Sequence, residues 1–225
     1  MGEIGYFKNL TRKDYVEKAH DIIVNEGIEA ISIRRIAKEM NCSSTSLYHY
    51  FSNLEELLVF AQLGFLTDYI ENLQRHEKIW ENVWDVYIGI WECFALQAFT
   101  TPAAFNTIFF GTQSKELPSL LMEYFEMYPE AIHTVSHHLQ MMLQEGNFAK
   151  RDYYMAVKCA EEGVISMENA KKMNRLCVYC FKGMLKEVLD EGETDVSKKV
   201  AELVDCVTDI ALFYGEDTTG IKQKS

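Results

Sequence analysis

Residues 43 to 50 read SSTSLYHY, and all but Leu47 of these side chains carry a hydroxyl or a ring nitrogen. Hydroxyls at the start of a helix suit a phosphate, because unpaired backbone N–H groups and the helix dipole already favour an anion there. By this reasoning Ser43, Ser44, Thr45 and Ser46 lie at a helix N-terminus. Of these, Ser44, Thr45 and Ser46 are placed to meet base edges, with Thr45 able to offer its methyl group. Tyr48, His49 and Tyr50 are placed for phosphates, unless one of the tyrosines serves the core instead. Two cations, Arg34 and Arg35, fall just upstream and are expected to clamp the nucleic-acid backbone. Each of these side chains taken alone reads as solvated surface. Their order and spacing together point to duplex DNA.

Presenting that set needs two short helices held at a fixed angle. Ile33, Ile36, Ala37 and Met40 share one face at helical spacing behind Ser32, a natural N-cap. Asn41 tolerates a left-handed backbone and can end this helix, and Ser43 can cap the next. Leu47 and Phe51 then point inward. The pattern from Ser32 to Phe51 is a helix-turn-helix. A third helix opens at Thr11 with a Thr11/Asp14 capping pair, buries Tyr15, Val16, Ala19, Ile22 and Ile23, and stops at Gly27. Lys8, Arg12 and Lys13 flank its start, either leaning on phosphate or simply keeping the surface soluble.

The stretch IRRIAKEMNCSSTSLYHYFSNLEELL resembles the DNA-binding signature of the tetracycline-repressor (TetR) family of bacterial transcription regulators, and SLYHYF is its most specific part. The likeness in motif runs from about Thr11 to Leu58; beyond it only length and helical pattern are similar. Three positions depart from the family pattern. Asn41 and Thr45 stand where glycine is common, and Leu54 stands where a lysine usually touches a DNA phosphate. The resemblance implies a repressor, released from a palindromic double-stranded DNA operator by a small, largely apolar effector. It also implies that the last two helices pair with those of a second chain as a four-helix homodimer interface. The expected division is a DNA-binding domain over residues 8–68 and a helical ligand-binding and dimerisation domain over 69–225.

Composition agrees with an all-α fold: 48% of residues are apolar, and there are only three prolines. No alternating Val/Ile/Thr run suggests a strand. The net charge is −12. Between Lys8 and Phe51 seven basic residues face six acidic ones, a net of +1 that leaves −13 for the remainder. A near-neutral head on an acidic body resists indiscriminate DNA binding. With no signal-like or membrane-spanning stretch, the chain is expected in the cytoplasm with its six cysteines reduced. Cys177 and Cys180 read as core residues on a helix, not a redox pair.

Asn53 caps a helix expected to run unbroken to about His76, long enough to act as a lever. The stretch from Ile79 to Thr100 is apolar almost all round and belongs at the centre of a bundle. Its Glu81, Asp85 and Glu92 form a narrow stripe, read as solvent exposure in preference to a site for a cationic ligand. Trp84, Tyr87, Trp91, Phe105, Phe109, Tyr124 and Met141, with His133 and His137 as polar groups, are candidates for an apolar ligand cavity. Glu130, His133 and His137 share a face of a helix opened by Pro129, but no fourth ligand accompanies them, so no metal or cofactor is expected. Ser166 and Ser197 cap the last two helices. Leu176, Cys180, Phe181, Met184, Val188, Leu203, Val207 and Ile210 are the candidates for the dimer interface. The tail Glu216–Ser225 is polar and expected to fray. No nucleophile with an adjacent base supports an enzyme. Two other readings stay open: a ligand- or partner-binding helical protein whose head no longer reads DNA, and an enzyme using the Glu130/His133/His137 face.

Overall fold

The computed structural model describes residues 10–192 and 195–222, the side chain of residue 113 excepted, and every regular element among them is helical. The chain divides into two compact units, one ending at Gly64 and the other beginning at Phe65.

The first unit holds α1 (Arg12–Glu26), α2 (Ile33–Glu39), α3 (Ser44–Tyr48) and α4 (Leu54–Leu63). Each helix start is fixed by its own cap. Thr11 accepts the Asp14 N–H while the Asp14 carboxylate takes the Thr11 N–H at 2.8 Å. Ser32, Ser43 and Asn53 accept from the N–H groups of Arg35, Ser46 and Glu56. Such caps contribute about 1 kcal/mol each, which matters for helices as short as α2 and α3. Asn41 turns the chain between them at φ +52°, the one non-glycine residue with positive φ among those described. Tyr15, Ala19, Ile36, Leu47, Phe51, Leu57 and Phe60 close the core.

The expected lever is two helices, not one. The ladder breaks at Gly64, whose N–H turns back to the Ala61 carbonyl at 3.3 Å, and α5 (Phe65–His76) follows. A cause sits on α1: the His20 ring contacts the Ala61 carbonyl oxygen through Nδ1 at 2.8 Å. Insertion of a side chain into a helical ladder is a recognised source of a break.

In the second unit α6 (Val83–Thr100) is the central rod, with α5, α11 (Phe148–Glu161), α12 (Met167–Glu191) and α13 (Val196–Tyr214) packed on it. Between α6 and α11 the chain passes through α7 (Pro102–Phe110), α8 (Leu117–Met127), α9 (Pro129–Ile132) and α10 (His137–Gln144). Gly89 of α6 is required for close approach, since a Cβ there would lie 2.4 Å from Trp80 Nε1. Asp195, not Ser197, caps α13.

The described part of the tail does not fray. Glu216 and Asp217 both donate backbone N–H groups to the Val164 carbonyl, and Trp84 Nε1 donates to the Asp217 carbonyl at 2.8 Å. Asn82 reaches the Gly220 carbonyl, Ile221 is buried, and Lys222 bridges Glu81 and Asp85 at 3.1 and 3.0 Å. Two of the three carboxylates in the expected acidic stripe are thus answered from within the chain. Residues 223–225 lie outside the described part.

Candidate functional site

The caps and the Asn41 turn leave a defined outward set on the head. Thr45, Tyr48, His49 and Arg34 are exposed, Tyr48 at 57%, and Ser44 is partly so. Ser43 and Ser46 are committed differently. Ser43 Oγ accepts the Ser46 N–H and lies 2.9 Å from Ser46 Oγ, so this pair locks the start of α3 in place of facing a base edge. Tyr50 donates its hydroxyl to the Leu10 carbonyl at 2.9 Å and tilts against the Tyr15 ring at 5.6 Å. It is the tyrosine that serves the head's own packing. Burial, with Cys42 at its hydroxyl, holds the Tyr15 phenol above its ordinary range.

The arginines also separate. Arg35 bonds Glu39 at 2.7 Å, Glu26, and the Ala30 carbonyl at 3.1 Å. These bonds push its guanidinium above, and both carboxylates below, their ordinary ranges, with the Lys18 contact the first cause at Glu39. Arg35 therefore braces α2 against the end of α1 and is not a free backbone clamp; Arg34 is the one that faces out. Arg12 likewise pairs with Glu56 at 2.7 Å and lies 4.2 Å from the Phe60 ring centroid, joining α1 to α4. Lys13 approaches Glu17 at 4.0 Å, and Lys8 lies outside the described residues.

The second unit contains a narrow cavity with about 20 Å³ of free space, lined by Tyr69, Ile90, Trp91, Phe94, Met142, Phe148, Arg151 and Asp152. Of the candidates read from sequence only Trp91 lines it. Tyr87 stands behind it, donating its hydroxyl to Asp152 Oδ2 at 3.2 Å, and Phe109 lies under Arg151. Trp84 is turned to the tail, Phe105 is enclosed in the aromatic core, and Tyr124 tilts against the Tyr128 ring. His133, His137 and Met141 are exposed on the surface. The expected Glu130/His133/His137 face does not form, because α9 ends at Ile132 and α10 starts at His137. Among the described residues no group of three His, Cys, Asp or Glu side chains could hold a metal.

Sequence reasoning missed Arg151 and Asp152. Arg151 is 3% exposed, with its guanidinium over the rings of Tyr69 and Phe109 at 5.4 and 5.5 Å. Burial depresses its proton affinity, and the neighbouring Tyr69 phenol partly restores it. Asp152 accepts from Asn174 Nδ2 at 2.7 Å as well as from Tyr87, and burial pushes its carboxyl up to about 7. A signal was available: Phe148, Arg151, Met155 and Cys159 recur at helical spacing on the buried face of α11, which puts a cation at an apolar position.

The candidates for the dimer face divide by burial. Phe181, Val188, Leu203 and Val207 lie in the chain's own core, Phe181 stacking with Phe99 and tilting against Trp91, so none is open to a second chain. Leu176, Cys180, Met184 and Ile210 keep part of their surface outward. Beside them on α12 and α13 stand Tyr179, 62% exposed, and Phe213, 79% exposed.

Comparisons with known proteins agree with the head's geometry. Residues 16–59 match the bacterial regulatory proteins of the tetR family. Over 50 residues the chain is 46% identical to the HTH-type transcriptional regulator PksA of Bacillus subtilis (strain 168), a stretch covering 22% of this chain and 24% of that protein. The match thus spans about a quarter of that relative's length. Among solved structures, Thermus thermophilus FadR, a TetR-family repressor in complex with lauroyl-CoA, gives a TM-score of 0.55 at 14% identity over 96% of this chain and 97% of that one. SmeT, the repressor of the Stenotrophomonas maltophilia efflux pump SmeDEF, gives 0.52 at 13% identity over 93% of each chain. At these identities the structural neighbours establish the fold. The head, residues 16–59, is similar in sequence to the tetR family of bacterial regulatory proteins, and the fold of the chain is similar to that of TetR-family repressors.

Proposed function

We propose that this protein is a homodimeric repressor that reads a palindromic operator through α3 and releases it when a small molecule fills the cavity of the second unit. One observation carries the DNA reading: Arg34, Ser44, Thr45, Tyr48 and His49 face outward from two short helices whose caps and Asn41 turn fix their mutual angle. Ser44 and Thr45 meet base edges; Arg34, Tyr48 and His49 hold phosphates. A symmetric dimer presents two such heads to successive major grooves, ~34 Å apart. The outward sides of α12 and α13 supply the dimer face.

Ligand control requires only that the effector bind one arrangement of the dimer more tightly than the other. The lauroyl-CoA held by the Thermus thermophilus neighbour supports the cavity as effector site. A gel-shift with DNA from beside the chain's own gene tests the DNA reading. Sequence-selective binding that weakens with salt is expected, and its absence with the intact dimer overturns the proposal.

One observation favours a second reading, a partner-binding protein with a silent head: Arg12 and Arg35 are both tied to carboxylates. Under that reading, replacing Arg34 and Tyr48 leaves the cellular effect unchanged.

A further inference from the structure

Resting on the cavity of the second unit as the effector site, we infer that its ligand is a monocarboxylic acid with a compact apolar body, held by a paired contact from its carboxylate to the guanidinium of Arg151.

The cavity wall is almost wholly aromatic and aliphatic, from Tyr69, Ile90, Trp91, Phe94, Met142 and Phe148. Into this wall projects one buried cation. Nη1 and Nη2 of Arg151 are both buried and have no hydrogen-bond acceptor among the described residues. The two ring faces beside the guanidinium return only part of what its burial costs. The adjacent carboxylate does not answer it: Asp152 turns to Tyr87 and Asn174, and no ion pair joins it to Arg151. A planar guanidinium offers two parallel N–H bonds that match a carboxylate in geometry and charge. A single cation in an apolar wall balances a singly charged acid and leaves a phosphate dianion under-compensated. The free space beside the guanidinium is only about 20 Å³, so the acid's apolar body is admitted by movement of flexible wall side chains such as Met142.

The probes are phenylacetate and hexanoate, with phenylacetamide and hexanamide as neutral isosteres and phenyl phosphate as the alternative anion. Calorimetry and thermal shift are run on the full chain. The expected result is binding of at least one acid with a rise in Tm, and affinity for its amide lower by about tenfold or more. Arg151→Met removes the discrimination between acid and amide. Should that variant fail to fold, Arg151→Lys keeps the charge but loses the paired geometry and narrows the difference. Amides binding as well as acids, phenyl phosphate binding more tightly than both acids, or no acid binding at all overturns the inference.

The same acids are then added to a gel-shift. Operator binding with no acid binding sinks this inference and spares the regulator. Acid binding that leaves the protein–DNA complex unchanged upholds the chemistry of the cavity and sinks its role as effector site.

Discussion

His20 Nδ1 lies 2.8 Å from the carbonyl oxygen of Ala61, and the α4 ladder ends three residues later at Gly64. A carbonyl only accepts, so Nδ1 carries the hydrogen. The same ring fills the space over Gly64, where a Cβ would lie 2.6 Å from Nδ1. One side chain therefore both holds the break and demands the glycine. Gly64 itself has ordinary helical angles, φ −55° and ψ −32°, so no backbone strain is involved.

This coupling predicts a change of sign. Gly64→Ala in the natural chain is expected to destabilise by about 1–3 kcal/mol through crowding of the His20 ring. In a His20→Ala background the same substitution should stabilise by about 1 kcal/mol, the ordinary helix preference of alanine. Urea unfolding of the four variants checks it; equal effects in both backgrounds would remove His20 as the cause of the break.

The two neighbouring arginines are expected to behave differently. Arg34→Ala should leave the melting temperature unchanged and reduce the slope of log affinity against log salt by about 1, the loss of one phosphate contact. Arg35→Ala should lower the melting temperature, because Glu26 and Glu39 lose their shared partner. Titrations at several salt concentrations alongside melting curves decide between them, and reversed roles would return Arg35 to the DNA contact set.

Gly183 lies on the exposed side of α12, and no other described part of the chain comes within 4 Å of where its Cβ would be. Its own chain therefore gains nothing from a glycine that costs about 1 kcal/mol in a helix interior. On the proposed dimer face, close approach of a second copy would account for it. Gly183→Leu should shift the protein towards monomer in sedimentation equilibrium, while Lys186→Ala should not. An unchanged dimer would move the interface elsewhere.

Asp152 sets an acid-side dependence of stability. Its carboxyl is held at about 7 in the folded chain against an ordinary 3.8, with burial as the leading cause. Between those values the folded form keeps a proton that the unfolded form has lost. Stability therefore falls as pH rises from about 4 to about 7, and the deficit is complete above that. Melting temperatures across this window should decline in the natural chain and decline less in Asp152→Asn. Matching slopes would show that Asp152 is solvated.

Much of the head was legible because its determinants are local. Thr11, Ser32, Ser43 and Asn53 cap the helices that they precede, and Asn41 turns where its backbone preference allows. What could not be read locally was pairing across the fold. Arg35 reads as a surface cation until Glu26 and Glu39 are seen beside it. The helix break depends on His20, 41 residues from the carbonyl that it contacts. In the second unit, aromatics at helical spacing identified the core correctly but could not distinguish Trp91 at the cavity from Trp84 under the tail. The chemically telling residue, Arg151, was overlooked because a lone cation near a helix start usually faces water.

The stitched tail has a practical corollary. Trp84 hands its indole proton to a carbonyl that belongs to the last stretch of chain, so that indole is an intrinsic reporter of whether the stretch stays docked. Its emission would redden on detachment without any added dye.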